Sequence, residues 1–189
     1  MRKKNMITIN GHIAGGKTRV VKIIANKLNM STYSASHGFR ELARKSGMDL
    51  ASFNEYIKNN SCIDKLIDEK LVEFLKSADN VIIDSRLAWL FEKDSFKVFI
   101  KVDINTASKR LVSDSDNRNI EDKYSCIGEA KEAITKRQNY ERERYLEEYN
   151  VDIWDEKNYD LVFDSSNLTT NEMADYIIEE FLKWKEKRN

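Results

Sequence analysis

Met6-Ile7-Thr8-Ile9-Asn10-Gly11-His12-Ile13-Ala14-Gly15-Gly16-Lys17-Thr18 runs from an apolar stretch into a glycine-punctuated turn. From Gly11 to Thr18 the turn fits the pattern G-x-x-x-x-G-K-[ST]. Met6-Ile7-Thr8-Ile9 reads as a buried strand, and Val20, Val21, Ile23, Ile24 and Leu28 give the following residues the apolar face of a helix. Strand, glycine loop and helix in that order make a phosphate cradle. Backbone N–H groups from Gly11, His12, Ile13, Ala14, Gly15 and Gly16 converge on phosphate oxygens at the positive end of the helix. In such a loop Lys17 reaches the β and γ phosphates of a bound ATP, and the Thr18 hydroxyl binds Mg²⁺. The alternative is a glycine-rich turn before an ordinary helix, and the flanking strand and helix argue against it.

Working outward, apolar strand candidates recur at Met6–Asn10, Thr32–Ala35, Asn80–Asp84, Phe96–Asp103 and Tyr159–Asp164, with helical patterns between most of them. This alternation predicts an α/β fold built on a parallel sheet. Two regions lack an intervening strand: Phe39 to Lys76 reads as two or three helices, and Thr106 to Tyr149 as a helix, a polar break over Ser113–Asn119 and a long charged helix. Insertions of this kind are where lids close over ligands, although a solvated loop explains the polar break equally well. With no proline and six glycines, the chain marks its element boundaries weakly.

The 189 residues are 41% hydrophobic and 34% charged, which suits one globular domain. Thirty-two basic side chains balance thirty-two acidic ones, so no bulk positive field exists to hold nucleic acid or an anionic membrane. No segment has the length and apolarity of a membrane span, and Met1-Arg2-Lys3-Lys4 is followed by a short strand rather than a signal-like apolar run. Cys62 and Cys126 lack C-x-x-C spacing and a histidine cluster. They read as reduced thiols of a cytoplasmic protein.

Chemistry concentrates at a second strand end. Val81-Ile82-Ile83 runs into Asp84-Ser85-Arg86, and in open α/β sheets ligands bind at the carboxyl ends of strands. A carboxylate there can hold Mg²⁺ and a guanidinium can grip phosphate bidentately, or the two can form a plain surface ion pair. Phosphoryl transfer needs further cations to stabilise charge on the moving group. Arg137 and Arg144, seven residues apart, share a helix face, whereas Arg142 points elsewhere. A solvated helix carrying i,i+4 pairs such as Arg137 with Glu141 is the competing explanation, and spacing alone favours it.

Several stretches in order resemble the P-loop nucleoside monophosphate kinases, and most closely the short archaeal and bacterial cytidylate kinase branch. They are the phosphate loop, Ser34-Ala35-Ser36-His37-Gly38-Phe39-Arg40-Glu41-Leu42-Ala43, Ile63-Asp64-Lys65-Leu66-Ile67-Asp68-Glu69, Asp84-Ser85-Arg86-Leu87-Ala88-Trp89, the Arg137–Tyr145 helix and Tyr159-Asp160-Leu161-Val162-Phe163-Asp164-Ser165. The resemblance implies a P-loop NTPase fold, a single domain with a parallel five-stranded sheet, monophosphate-binding helices over approximately residues 36–78, and a lid with its following helix over approximately 106–149. It implies an enzyme using ATP and Mg²⁺ to phosphorylate CMP or dCMP, and the expected state is a monomer or a weak associate. Arg40 and Arg86 would hold the acceptor phosphate, with Ser34 near its nucleoside and His37 and Asp84 beside it. Lys17, Arg86, Arg137 and Arg144 would contact the transferring phosphates, Thr18 and Asp84 the metal, and Arg110 the ATP side of the lid, with Arg118 adding charge.

Three positions depart from that pattern: Ala14 and Ser85 stand where relatives carry glycine, and His37 where they often carry an acid. Ala14 is tolerable where its torsions stay in an allowed region. His37 reads as a nucleoside contact or as a helix-start residue, and a histidine cannot accept hydrogen bonds as a carboxylate does. Phe53, Tyr56, Phe74, Phe91, Tyr176, Phe181 and Trp184 read as core or flank, and Trp89 as packing beside the Asp84–Arg86 strand end.

Overall fold

The computed structural model describes residues 4–48, 52–53, 56–57, 61–113 and 124–188, without the side chains of 36, 37, 40, 41, 61–64, 66 and 67. Strand β1 (Met6–Gly11) passes through the glycine loop into helix α1 (Lys17–Leu28). There follow β2 (Ser31–Ser34), α2 (Ala35–Lys45), α3 (Ser61–Ser77), β3 (Val81–Asp84), α4 (Ala88–Phe91) and β4 (Phe96–Lys101). The chain continues through α5 (Ile104–Ser113), α6 (Ile127–Tyr149), a 3-10 turn (Glu156–Asn158), β5 (Leu161–Asp164) and α7 (Thr170–Glu186).

The five strands lie in the order β2-β3-β1-β4-β5, and every pairing is parallel. The central strand β1 is covered on both faces, so all six of its residues are buried. Ile7 and Ile9 meet Val20 and Ile24 of α1 and Met173, Ile177 and Phe181 of α7 on one face. Met6 points the other way, onto Leu71 and Leu75 of α3 with Val81 and Ile83. Full burial of each such side chain contributes about 1.5–3 kcal/mol. Register aligns Ile9 with Asp84 and Ser34 with Asp84, so the β2 and β3 ends stand in one row beside the glycine loop.

Helices α5 and α6 pack through Ala107, Leu111, Ala130 and Ile134 and enclose Ile13 of the loop. The far end of α6 returns to the β3 end through Tyr145, which meets Leu87, Trp89 and Ile153. This double anchorage suspends the middle of α6, including Glu141, over the carboxyl ends of the strands.

All five predicted strands are present, with ends displaced by one to a few residues. Ala35 begins α2. Strand β4 stops at Lys101 because the Asp103 carboxylate turns to accept from the N–H groups of Asn105 and Thr106, opening α5. The scarcity of glycine is met by Asn29, Asn80 and Asn150, all with positive φ, two of them capping α1 and α6. Helices occupy the two strand-free regions, but residues 114–119 of the polar break, with Arg118, lie outside the described residues. Among the described residues no helix is long and apolar enough to cross a membrane.

Candidate active site

The glycine loop is shaped first by its neighbours. Gly11 has φ 147°, and a Cβ there would lie 2.2 Å from the carbonyl oxygen of Ile100, which also accepts from the His12 N–H at 2.9 Å. Gly16 has φ 87° and opens α1, its would-be Cβ 3.0 Å from Met173 Cε. Ala14 has φ 59°, the left-handed region that strains a side-chain-bearing residue. The His12 ring sits edge-on to Phe99 and Trp154, where burial lowers its pKa and Nδ1 can accept from the Val102 N–H at 3.3 Å. His12 therefore offers the loop its main chain.

Lys17 folds back, its Nζ donating to the carbonyls of Gly11 at 2.9 Å and His12 at 2.7 Å. Burial and the adjacent Arg86 guanidinium lower its pKa to about 7. Thr18 Oγ1 donates to Asp84 Oδ2 at 3.4 Å. Among the described residues no group of three or more His, Cys, Asp or Glu could hold a metal alone. A hydroxyl and one carboxylate fit a hard cation that completes its shell with phosphate oxygens and water.

Arg86 does not pair with Asp84. Its Nη1 donates to Asn10 Oδ1 at 3.0 Å and to the Gly11 carbonyl, its Nη2 lies 2.9 Å from Glu141 Oε2, and its guanidinium covers the Trp154 ring at 5.5 Å. Glu141 also accepts from Arg137 Nε at 3.0 Å. Burial disfavours its charge, but Arg86 and Arg137, with Arg144 behind them, outweigh that and hold the carboxyl at about 2. The Arg137–Glu141 pair expected from the i,i+4 spacing is present, with Arg137 half-exposed and Glu141 buried against Arg86. Arg144 lies over the rings of Tyr145 and Tyr140 and donates to Tyr145 Oη at 2.5 Å. Arg142 turns away to Asp152, as its spacing predicts.

Arg110 reaches the other rim of the loop, donating to the carbonyls of Ala14 at 3.3 Å and Ser165 at 2.7 Å. Ser34 ends β2 beside Asp84, while the side chains of His37 and Arg40 on α2 lie outside those described. Trp89 is packed, and its Nε1 donates to the Arg86 carbonyl at 2.8 Å. Of the predicted aromatic core, Phe53 and Phe181 are fully buried, whereas Tyr56 and Tyr176 are exposed.

Sequence reasoning did not single out Asn10. Buried at 1% exposure, it accepts from the Gly11 N–H at 2.7 Å and from Arg86, and donates to Tyr159 Oη at 2.7 Å and the Ile153 carbonyl at 3.2 Å. A polar residue closing an apolar strand immediately before the loop was the available signal.

A parallel sheet ordered β2-β3-β1-β4-β5, with a phosphate loop leaving its central strand, defines a P-loop NTPase fold. Solved structures agree: shikimate kinase from Bacteroides thetaiotaomicron aligns at TM-score 0.57 and 19% identity over 95% of this chain and 98% of its own. An uncharacterized protein from Eubacterium ventriosum aligns at TM-score 0.67 and 17% identity, covering 94% of this chain and 98% of that one. Within that class the chain belongs to the cytidylate kinase-like family, whose model matches residues 6–167. Cytidylate kinase of Sulfolobus acidocaldarius is 35% identical over 174 residues, 91% of either chain. The S-adenosylmethionine-dependent nucleotide dehydratase of Lacinutrix mariniflava is 37% identical over 181 residues, 95% of this chain, which spans only 36% of that protein's length.

Proposed function

We propose that the protein is a monomeric cytoplasmic enzyme transferring the γ-phosphoryl group of ATP to CMP or dCMP with Mg²⁺. The observation that carries this reading is the convergence of Lys17 and Arg86 on the Gly11 carbonyl, with Thr18 bonded to Asp84 and Arg137 joined to Arg86 through Glu141, in a chain 35% identical to a cytidylate kinase over 91% of both. An acceptor phosphate oxygen attacks the γ phosphorus, the bond to the β–γ bridging oxygen breaks, and ADP leaves with that oxygen. The loop from Gly11 to Gly16 binds the donor phosphates through its N–H groups, and Lys17 swings from its carbonyl partners onto the β and γ oxygens. Thr18 and Asp84 hold Mg²⁺, which supplies charge neutralisation at those oxygens when bound. Arg86 and Arg40 orient the acceptor phosphate, with Ser34, His37 and Asp84 on its nucleoside side. Arg137 and Arg144 stabilise charge on the transferring group, and Arg110 fixes the rim of the loop on the ATP side. Closure of the 106–149 segment excludes water that would otherwise take the phosphoryl group.

The test is ADP release with CMP, dCMP, UMP, dUMP, AMP, GMP, dTMP or no acceptor. Strong stimulation by CMP or dCMP is expected; equal rates with and without acceptor overturn the reading. Lys17→Met abolishes turnover with the fold intact, and Arg40→Ala weakens the acceptor.

The identity to a nucleotide dehydratase over 95% of this chain favours a second reading, a kinase for another acceptor such as AMP, UMP or a non-nucleotide, or a nucleotide-binding regulatory protein. The same panel separates these: another monophosphate dominates, or ATP binds without turnover.

A further inference from the structure

Glu141 bridges Arg86 and Arg137 beside the loop, and its setting is unusual for a helix-surface glutamate. The residue is 9% exposed, in the middle of α6, between Arg137 one turn before it and Arg86 from the end of β3. Its two oxygens are bound unequally. Oε1 accepts an aligned hydrogen bond from Arg137 Nε at 3.0 Å, whereas Oε2, buried and 2.9 Å from Arg86 Nη2, receives no aligned hydrogen bond. Charge, more than directed bonding, holds that side.

We propose that Glu141 is an internal stand-in for phosphate: its carboxylate occupies the space between Arg86 and Arg137 that a nucleotide phosphoryl group takes, and the incoming phosphate displaces it. The inference rests on the reading above that these arginines receive phosphate. The anchoring of Arg86 makes the exchange local. Nη1 remains on Asn10 and the Gly11 carbonyl and the guanidinium remains over Trp154, leaving Nη2 as the arm that changes partner. Phosphate offers three oxygens to the same donors, where the carboxylate satisfies only one side with good geometry. Once a dianion enters, like-charge repulsion in a partly desolvated site drives the carboxylate outward along its flexible side chain. Without ligand, Glu141 balances guanidinium charge that would otherwise repel itself.

The stand-in makes a prediction opposite in sign to that of a mere scaffold. A scaffold carboxylate, once neutralised, lets the arginines drift and weakens anion binding; a competitor, once neutralised, leaves them available. Inorganic pyrophosphate is the probe, titrated calorimetrically into the full chain, Glu141→Gln and Glu143→Gln at one ionic strength, Glu143 being an exposed carboxylate on the same helix. Glu141→Gln is expected to bind pyrophosphate about tenfold more tightly, about 1.4 kcal/mol, with Glu143→Gln changed by less than about twofold as a screened surface charge. Equal or weaker binding by folded Glu141→Gln overturns the proposal, as does an equal gain in Glu143→Gln. Should Glu141→Gln not fold, the assigned side-chain carboxyl carbon resonance of Glu141 in the unaltered protein decides: a shift on saturation with pyrophosphate supports displacement, and an unmoved signal overturns it. CMP-stimulated ADP release is measured separately. Tightening without turnover removes the CMP reading alone, and turnover without tightening removes the stand-in alone.

Discussion

Arg110 donates through Nη1 to the carbonyl of Ala14 at 3.3 Å, and Ala14 is the loop residue that holds a left-handed φ, 59°, without being glycine. The same guanidinium is fixed on the Ser165 carbonyl at 2.7 Å, so a strained turn is pinned to the β5–α7 connection.

Ala14→Gly should therefore stabilise the protein. Relief of the left-handed alanine is worth about 1–2 kcal/mol, against about 0.5–1 kcal/mol of extra freedom gained by glycine in the unfolded chain. The expected net gain is between about 0 and 1.5 kcal/mol, each 1 kcal/mol raising Tm by about 2–4 °C for a chain of this size. Thermal unfolding monitored by circular dichroism checks it, and a lower Tm would show that the pinned turn prefers alanine.

Asn10 is the buried polar hub beneath the loop, with Gly11, Arg86, Tyr159 and Ile153 as partners. Asn10→Leu strands several of those groups without water, each costing about 1–3 kcal/mol. A loss of several kcal/mol in urea unfolding is expected. Tyr159→Phe, which removes one hydroxyl from the same network, should cost about 1 kcal/mol. Similar losses in the two variants would remove Asn10 from its place as hub.

Lys17 makes stability and binding respond oppositely to pH. Its pKa is lowered to about 7 in the folded chain, against about 10.4 unfolded. Between these values the unfolded chain binds the extra proton, so ligand-free stability rises with pH across that window, and Lys17→Met should flatten the rise. An arriving phosphate favours the ammonium, so binding takes up a proton there and weakens toward alkaline pH. Pyrophosphate titrations in buffers of different ionisation enthalpy read that uptake directly; no buffer dependence at pH about 8.5 would exclude Lys17 as the phosphate partner.

Asp84→Asn removes a charge 3.4 Å from the Thr18 hydroxyl while keeping an acceptor oxygen. Mg²⁺ should then no longer tighten ATP binding, although ATP alone still protects the protein against heat. A fall in kcat of about 100-fold or more is expected from loss of one preorganised charge contact. An unchanged Mg²⁺ effect would move the metal away from Asp84.

The parts legible in the sequence were those encoded locally. Gly11–Thr18 announces its loop by spacing, and the inner strands by apolar runs ended by a polar residue, such as Val81-Ile82-Ile83 before Asp84. Strand ends blurred where side chains took over the hydrogen bonding, as Asp103 does at the start of α5. Glu141 was visible only as an i,i+4 partner of Arg137, the commonest pattern on a solvated helix. Its burial comes from Arg86, fifty-five positions away in the chain and unreachable by periodicity. The hub role of Asn10 was hidden for the same reason, since Ile153 and Tyr159 meet it only after α6 has crossed the sheet.

Gly11 carries a consequence for the descent of such proteins. The atoms that forbid a side chain there belong to the β4 backbone, 2.2 Å from where a Cβ would stand. A descendant freed from ATP would therefore still keep this glycine in order to fold, while Lys17, whose burial costs the ligand-free chain, would be among the first residues to drift. Across a lineage, retention of the first glycine of the loop records the architecture of the sheet, and retention of the lysine records continued selection for phosphate.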